Sequence, residues 1–184
     1  DWSSDVCSSD LFREKTGIQV TAYTYYGARH TTAQKAFTNC AGMKGIKIRV
    51  PDVPAYRATP EACGANPTPM AFTEIYQGLQ SGAIDGQDNP LPTVKDAKFF
   101  EVTKQIALTS HLVDLNYLTI SKKVYDRLTP DQQKRLQKAA DDAAESARQK
   151  QLKLEDELVA FMKEKGLKVY TPDLAAFRKH VQGE

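Results

Sequence analysis

After Pro130 the chain carries no glycine or proline until Gly166, and a helix over that run of about 36 residues would be roughly 54 Å long, more than the width of a small domain. Its start is well marked. Thr129 stands at a capping position, Pro130 in the first helical position and Gln132 three residues after the cap, the pattern of a capping box. Leu136, Ala140, Ala143, Ala147, Leu154, Leu158 and Phe161 keep an apolar stripe, but Glu145 to Gln151 is almost wholly polar, as expected where a helix crosses between two lobes. A coiled coil does not account for it, because a heptad seam through Ala140, Ala143 and Ala147 lands on Lys150 and Glu157. The helix therefore asks for a chain with two bodies.

The remainder alternates short helices and strands. FREKT reads as the tail of a helix closed by Gly17, and IQVTAYTYY as a strand, after which Arg29 and His30 follow Gly27 at the strand's end. Asn39 caps a short helix, CAGMK, that Gly45 ends. Ile46 to Val50 reads as a buried strand with one charge, Arg49, stopping at Pro51. The next stretch, VPDVPAYRATPEACGANPTP, holds five prolines in twenty residues, which argues against a long helix or central strand and for a rigid, shaped loop. A helix from about Thr73, with Ile75, Tyr76 and Leu79 on one face and Gly82 at its end, leads to a strand around Ile84 that ends in GQDNP. Strand, helix and strand across residues 46 to 87 predict a right-handed βαβ unit with parallel strands. Further on, TVKDAKFFEV reads as a short helix, QIALTS and NYLTIS as two strands, LKVYT as a strand and PDLAAFRKH as the beginning of a helix. The fold class is α/β, where ligand crevices form beyond the carboxyl ends of strands.

Composition excludes more than it selects. Of 184 residues, 41% are hydrophobic and 26% charged, an ordinary globular balance with no apolar run of about 18 residues to span a bilayer. A net charge of +2 and the lack of a basic stripe with interleaved aromatics argue against nucleic acid. Gly-rich phosphate loops, GxSxG, HExxH and CxxC are all missing from the sequence. Asp85, Gln87, Asp88 and Asn89 do not make a calcium loop, since Gly86 falls too early; no metal or cofactor is expected. The set that remains suits a carboxylate. Arg49 at a strand end offers a planar fork of donors, and Asn89 a neutral amide. The structural alternatives are a salt bridge from Arg49 to Glu74 or Asp88, Asn89 as a turn residue before Pro90, Arg29 in a solvated turn and Phe72 as plain core. Among enzymes, the competing reading is a hydrolase or lyase on an α/β scaffold using Asp88 and His111. The first eleven residues, DWSSDVCSSDL, resemble a translated adapter tail rather than a signal peptide and are set apart from the fold, with Cys7 among them. Cys40 and Cys63 are too few for a zinc site and leave one disulfide or two free thiols.

The pieces KGIKIRVP, GANPTPMAFTEIYQGLQSGAIDGQDNPL and KFFEV resemble the DctP-type solute-binding proteins of tripartite ATP-independent periplasmic (TRAP) transporters, and a weaker likeness runs from about Leu11 to the C-terminus. The resemblance implies a periplasmic-binding-protein-like, type II-like fold of two α/β lobes. Between them a small organic acid, C4-dicarboxylates included, would be held for a membrane permease driven by an ion gradient. It implies a periplasmic protein without enzyme activity, and in that oxidising setting a Cys40–Cys63 disulfide. The ligand set it implies is Arg49 from IRVP, Arg29 after the preceding strand, Asn89 from GQDNP and Phe72 from PTPMAF. Asp88 stands where Glu is usual. Asp52 stands where relatives that bind acidic sugars place Asn, so a contact there would be altered or lost. On the same basis 12–26 and 115–154 are expected to be a remnant of the first lobe and 27–114 and 155–184 the second, in a chain that is a fragment of such a protein.

Overall fold

The computed structural model describes residues 8–182. Helices α1 (Ser8–Thr16), α2 (Pro54–Ala62), α3 (Ile75–Ser81), α4 (Leu91–Asp96), α5 (Lys122–Tyr125), α6 (Pro130–Glu164) and α7 (Leu174–Gln182) alternate with strands β1 (Ile18–Ala33), β2 (Lys47–Val50), β3 (Asn66–Pro69), β4 (Gly86–Asn89), β5 (Gln105–Ser121) and β6 (Lys168–Tyr170). The strands form one sheet in the order β3-β2-β4-β1-β5-β6. β2 is parallel to both β3 and β4, β4 is antiparallel to β1, and β5 is parallel to β6. β2 and β4 are parallel, as the sequence pattern predicts, but the connection between them holds α2 and strand β3 as well as α3.

The chain divides into two compact units. One holds the described residues up to Tyr26 together with Leu115–Gln151; the other holds Gly27–Asp114 together with the described residues from Leu152 onward. The chain passes between them within β1, at the Asp114–Leu115 bond of β5, and within α6.

The second unit contains the β1–β4, β2–β3, β2–β4 and β5–β6 pairings and two apolar layers. The pleat sends alternate β2 side chains to opposite faces: Ile48 and Val50 join Phe37, Met43 and Phe177 of α7, while the other layer gathers Ile75, Leu79, Ile84, Phe99, Leu158 and Met162. Gly86 is required where β4 is squeezed between β1 and β2, because a Cβ there would meet the Thr32 carbonyl oxygen at 2.5 Å. Cys40 and Cys63 form a disulfide, with Cα atoms 4.8 Å apart, that ties the end of α2 to a 3₁₀ turn at Cys40–Met43.

The first unit packs Ala22, Leu118, Ala140 and Ala144. Polar side chains lace β1 to α6: Gln137 Nε2 donates to the Thr21 carbonyl at 2.6 Å and Thr24 Oγ1 to the Ala144 carbonyl at 2.7 Å. The capping box at the start of α6 forms, with Gln132 N donating to Thr129 Oγ1 and Thr129 N to Gln132 Oε1. This unit also carries an open depression of about 1140 Å³ walled by Ile18, Tyr23, Leu115 and Tyr117.

Four local expectations change. β1 does not stop at Gly27 but runs on to Ala33, because β4 supplies a pairing edge for residues 30–33 and the β-branched Thr31 and Thr32 favour the extended state. Arg29 and His30 therefore lie inside a strand. QIALTS and NYLTIS are one strand, β5, which absorbs Ser110 at φ 45° without ending. The proline-rich stretch is not a loop. Pro54 begins α2 where its missing N–H costs nothing, and β3 is an edge strand. Asn66 N and Met70 N donate to Ile46 and Val50 of the neighbouring strand, so in the alternation Pro67 and Pro69 fall on the outward side, where no donor is needed. Finally, α1 begins at Ser8, inside the stretch set apart as a tail; residues 1–7, Cys7 included, lie outside the described residues.

Candidate functional site

Arg49 is the next-to-last residue of β2 and is 5% exposed. Its Nε donates to the Met70 carbonyl at 2.9 Å, and that is its side chain's only hydrogen bond or ion pair among the described residues. Both terminal nitrogens of the fork are thus uncommitted and reach solvent, although the residue as a whole is buried. Desolvation holds the guanidinium below its usual basicity; the Asp88 charge works against that lowering and the Arg29 charge adds to it. A cation so placed is electrostatically short of an anion.

Arg29 is treated differently. Its Nε donates to Asp88 Oδ2 at 2.8 Å, its Nη1 to Asp114 Oδ2 at 2.7 Å and its Nη2 to the Asp88 carbonyl. The Tyr56 ring lies against its guanidinium at 4.7 Å. Burial opposes the charge most strongly, yet the two carboxylates outweigh it and its basicity is raised. Asp88 Oδ2 also faces His111 Nε2 at 3.3 Å, while Thr109 Oγ1 contacts His111 Nδ1 at 2.7 Å. Desolvation is the largest influence on Asp88 and pushes its carboxyl up, but His111 and Arg29 together bring it below the usual range. Its Oδ1 is buried with no partner among the described residues.

Asn89 is buried at the end of β4 and donates to Gln87 Oε1 at 2.6 Å; Gln87 in turn donates to Thr32 Oγ1 at 2.7 Å. The register pairs Arg49 with Gln87 and His30 with Asn89, so the amides and Arg49 share a row of side chains. His30 Nδ1 accepts from Ser110 N at 3.3 Å, a bond that the turned backbone of Ser110 permits.

Of the residues singled out from the sequence, Arg29, Arg49 and Asn89 are buried at these adjoining positions. Phe72 is not core. It is 48% exposed and tilted against Phe99 at 5.7 Å. Asp52 has a side chain 78% exposed and pairs with Arg57 across the start of α2. The structural alternatives for Arg49 and Arg29 do not hold: Arg49 makes no salt bridge to Glu74 or Asp88, and Arg29 is in no solvated turn. Sequence reasoning missed Tyr56 and Asp114. Tyr56 lies in the stretch read as a loop, and Asp114 in the gap between the two strands that are one; no spacing linked either to Arg29. Among the described residues no group of His, Cys, Asp and Glu is arranged to hold a metal ion, and no helix is long and apolar enough to cross a membrane.

The profile of the DctP family, bacterial extracellular solute-binding protein, family 7, matches residues 9–183. The chain is 39% identical over 158 residues to the sialic acid-binding periplasmic protein SiaP of Vibrio cholerae, covering 86% of this chain and 49% of that protein. It is 37% identical over 159 residues to the 2,3-diketo-L-gulonate-binding periplasmic protein YiaO of Escherichia coli, covering 86% and 48%. Among solved structures, a TRAP periplasmic solute binding protein of Roseobacter denitrificans with bound 3-deoxy-D-manno-oct-2-ulosonic acid matches with TM-score 0.92 and 50% identity, over 98% of this chain and 62% of that one. One from a Sulfitobacter species with bound β-D-galacturonate matches at 0.86 and 32%, over 91% and 56%.

The chain belongs to the DctP family of bacterial extracellular solute-binding proteins, and its fold is that of the TRAP periplasmic solute-binding proteins. It spans about half the length of the curated relatives it matches. These relatives and neighbours are transport solute-binding proteins and not enzymes. The hydrolase or lyase reading is therefore withdrawn. Asp88 and His111 do meet, but the carboxylate is pinned by Arg29 and held below its usual range, the reverse of a base poised near neutrality.

Proposed function

We propose that this chain is the ligand-gripping part of the extracytoplasmic solute-binding component of a TRAP transporter, working in the periplasm with the membrane permease and binding a polyhydroxy monocarboxylate, that is, a sugar acid. The observation that carries this reading is the unpaired fork of the largely buried Arg49. Its two uncommitted nitrogens suit the two oxygens of one carboxylate in parallel bonds. In this reading Asn89 adds a neutral contact, Phe72 an apolar wall beside Phe99, and Arg29 a second cation held ready by its acids. Asp52, paired with Arg57, contributes at the rim. The two compact units correspond to a remnant of the first lobe and to the second lobe of such proteins.

A C4-dicarboxylate, the narrower class the resemblance suggested, is the less favoured ligand. Arg29 is already paired with Asp88 and Asp114, so a second ligand carboxylate close by would lie among like charges, whereas hydroxyl groups need no counter-charge. Three of the neighbouring structures hold 3-deoxy-D-manno-oct-2-ulosonic acid, L-galactonate and β-D-galacturonate, which are sugar acids. The test is a thermal-shift screen of the chain with these three acids beside succinate and malate, since a ligand that binds only the folded state raises the melting temperature. Stabilisation by succinate but not by any sugar acid would overturn the ligand class; turnover of a stabilising acid would overturn the binding function itself.

A further inference from the structure

Arg29 is useful to a ligand only if its guanidinium plane is fixed, and the means of fixing it come from an unexpected element. α2 starts after the Pro51–Val53 turn and ends at Cys63, where the disulfide to Cys40 holds it. Near its start, Tyr56 packs against the apolar layer that contains Ile48 and Val50. The Arg29 guanidinium carbon lies over its ring, 4.7 Å from the centroid, and the Tyr56 hydroxyl donates to Asp114 Oδ1 at 3.0 Å. Asp114 Oδ2 accepts from Arg29 Nη1 at 2.7 Å. Tyr56, Asp114 and Arg29 thus close a three-membered ring of contacts, with one member on α2, one at the end of the β5 segment in this unit and one on β1. Burial first, and the Asp114 contact second, push the Tyr56 hydroxyl's pKa up from its ordinary value, which favours its role as donor to Asp114.

We propose that Tyr56 and Asp114 are positioning residues that lock the Arg29 guanidinium in one plane, Tyr56 by stacking on its face and Asp114 by fixing Nη1. The functional consequence rests on the carboxylate-binding reading above; the immobilisation of Arg29 does not. Without Tyr56 one face of the guanidinium is open and Asp114 loses its second anchor. Arg29 then keeps its Asp88 contacts and an Asp114 carboxylate that is no longer anchored from its other oxygen, and the whole guanidinium turns more readily about Nε–Cζ, exchanging Nη1 and Nη2.

The experiment has two arms. In the first, rotation about the Arg29 Nε–Cζ bond is measured by nitrogen-15 NMR on the full 184-residue chain. Tyr56→Leu is expected to quicken rotation at least tenfold, and Tyr56→Phe and Asp114→Asn each by about threefold, since each of the latter weakens one contact and keeps the stack. Rotation in Tyr56→Leu within twofold of the parent would overturn the proposal. Should that variant fail to fold, unchanged rotation in both milder variants would do the same. The second arm titrates 3-deoxy-D-manno-oct-2-ulosonic acid into the parent, Tyr56→Leu, Arg29→Lys and the double variant. Tyr56→Leu is expected to weaken binding about 10- to 30-fold in the parent but less than twofold in the Arg29→Lys background. Equal loss in both backgrounds would mean that Tyr56 does not act through Arg29. A parent that binds none of this acid counts against the ligand reading, and the rotation arm then decides the role of Tyr56 alone.

Discussion

Replacing Arg49 should separate binding from stability, because the structure gives this residue almost nothing to hold the fold with. Its one intramolecular bond is Nε to the Met70 carbonyl, worth about 1 kcal/mol net, and against it stands the cost of a buried cation without a counter-ion. Arg49→Met, similar in length and apolar, is therefore expected to leave the ligand-free protein as stable as the parent or about 1 kcal/mol more so, a rise of roughly 2–4 °C for a chain of this size. Ligand binding should move the other way. Two charge-assisted bonds at about 1.5–3 kcal/mol each amount to about two to four decades of affinity. Arg49→Lys should recover little, since a point charge cannot reproduce two parallel bonds and its Nζ cannot also reach Met70. Calorimetric titration with a sugar acid, paired with ligand-free melting curves, measures both effects. A Lys variant within threefold of the parent would refute the two-pronged grip. A Met variant that loses more than about 10 °C without ligand would show instead that Arg49 is structural.

The other predictions concern the frame around the site. His30 is neutral in the fold because burial, and secondarily His111, lower its pKa from 6.5 to about 4. The unfolded chain therefore takes up this proton first, and the stability due to neutral His30 is fully present above about pH 6.5 and lost as pH falls towards 4. The 2.5-unit difference corresponds to about 3 kcal/mol. Urea midpoints between pH 7 and 4.5 should fall accordingly and flatten in His30→Gln; equal slopes in both proteins would refute it. Reducing the Cys40–Cys63 bond, whose residues lie 23 apart, should cost about 3.5 kcal/mol by the chain-entropy account, read as a melting shift of about 10 °C with reductant; a shift under 2 °C would contradict it. Gly86→Ala forces a Cβ against the Thr32 carbonyl oxygen and should cost about 1–3 kcal/mol, with β4 displaced; denaturation midpoints equal to the parent's would count against the close packing of β4.

How far the sequence carried depended on whether the signal was local. Thr129, Pro130 and Gln132 announce the start of α6 because capping chemistry is complete within four residues, and the bonds form as the pattern implies. Gly17, Gly45 and Gly82 close their segments with positive φ for the same reason. Arg49 was legible as a buried cation from its apolar neighbours Ile48 and Val50. What failed was punctuation read without its partners. Gly27 and Ser110 look like stops, but pairing across the sheet carries β1 and β5 through them. Pro67 and Pro69 look incompatible with a strand until β3 is known to be the sheet's edge. Tyr56 and Asp114, 58 residues apart, could not be joined to Arg29 by any spacing rule, because their meeting is a property of topology.

The contrast between the two arginines argues for a division of labour rather than for a pair of equal grips. A buried guanidinium has to meet its desolvation cost somewhere, and Arg29 does so inside the protein, through two carboxylates, a carbonyl and a ring. Arg49 does not; burial lowers its basicity and Asp88 compensates only from a distance. Satisfying Arg49 internally would stabilise the empty protein and take the same energy away from the ligand, because a carboxylate would then have to displace an acid already in place. Leaving it short of an anion keeps that energy for binding. Asp88 does not restore the balance, because Arg29 holds its Oδ2 and His111 faces the same oxygen. On this view Arg29→Gln, which leaves Arg49 and its missing counter-ion in place, should weaken sugar-acid binding less than Arg49→Met does; an equal or larger loss in calorimetric titration would refute the division of labour.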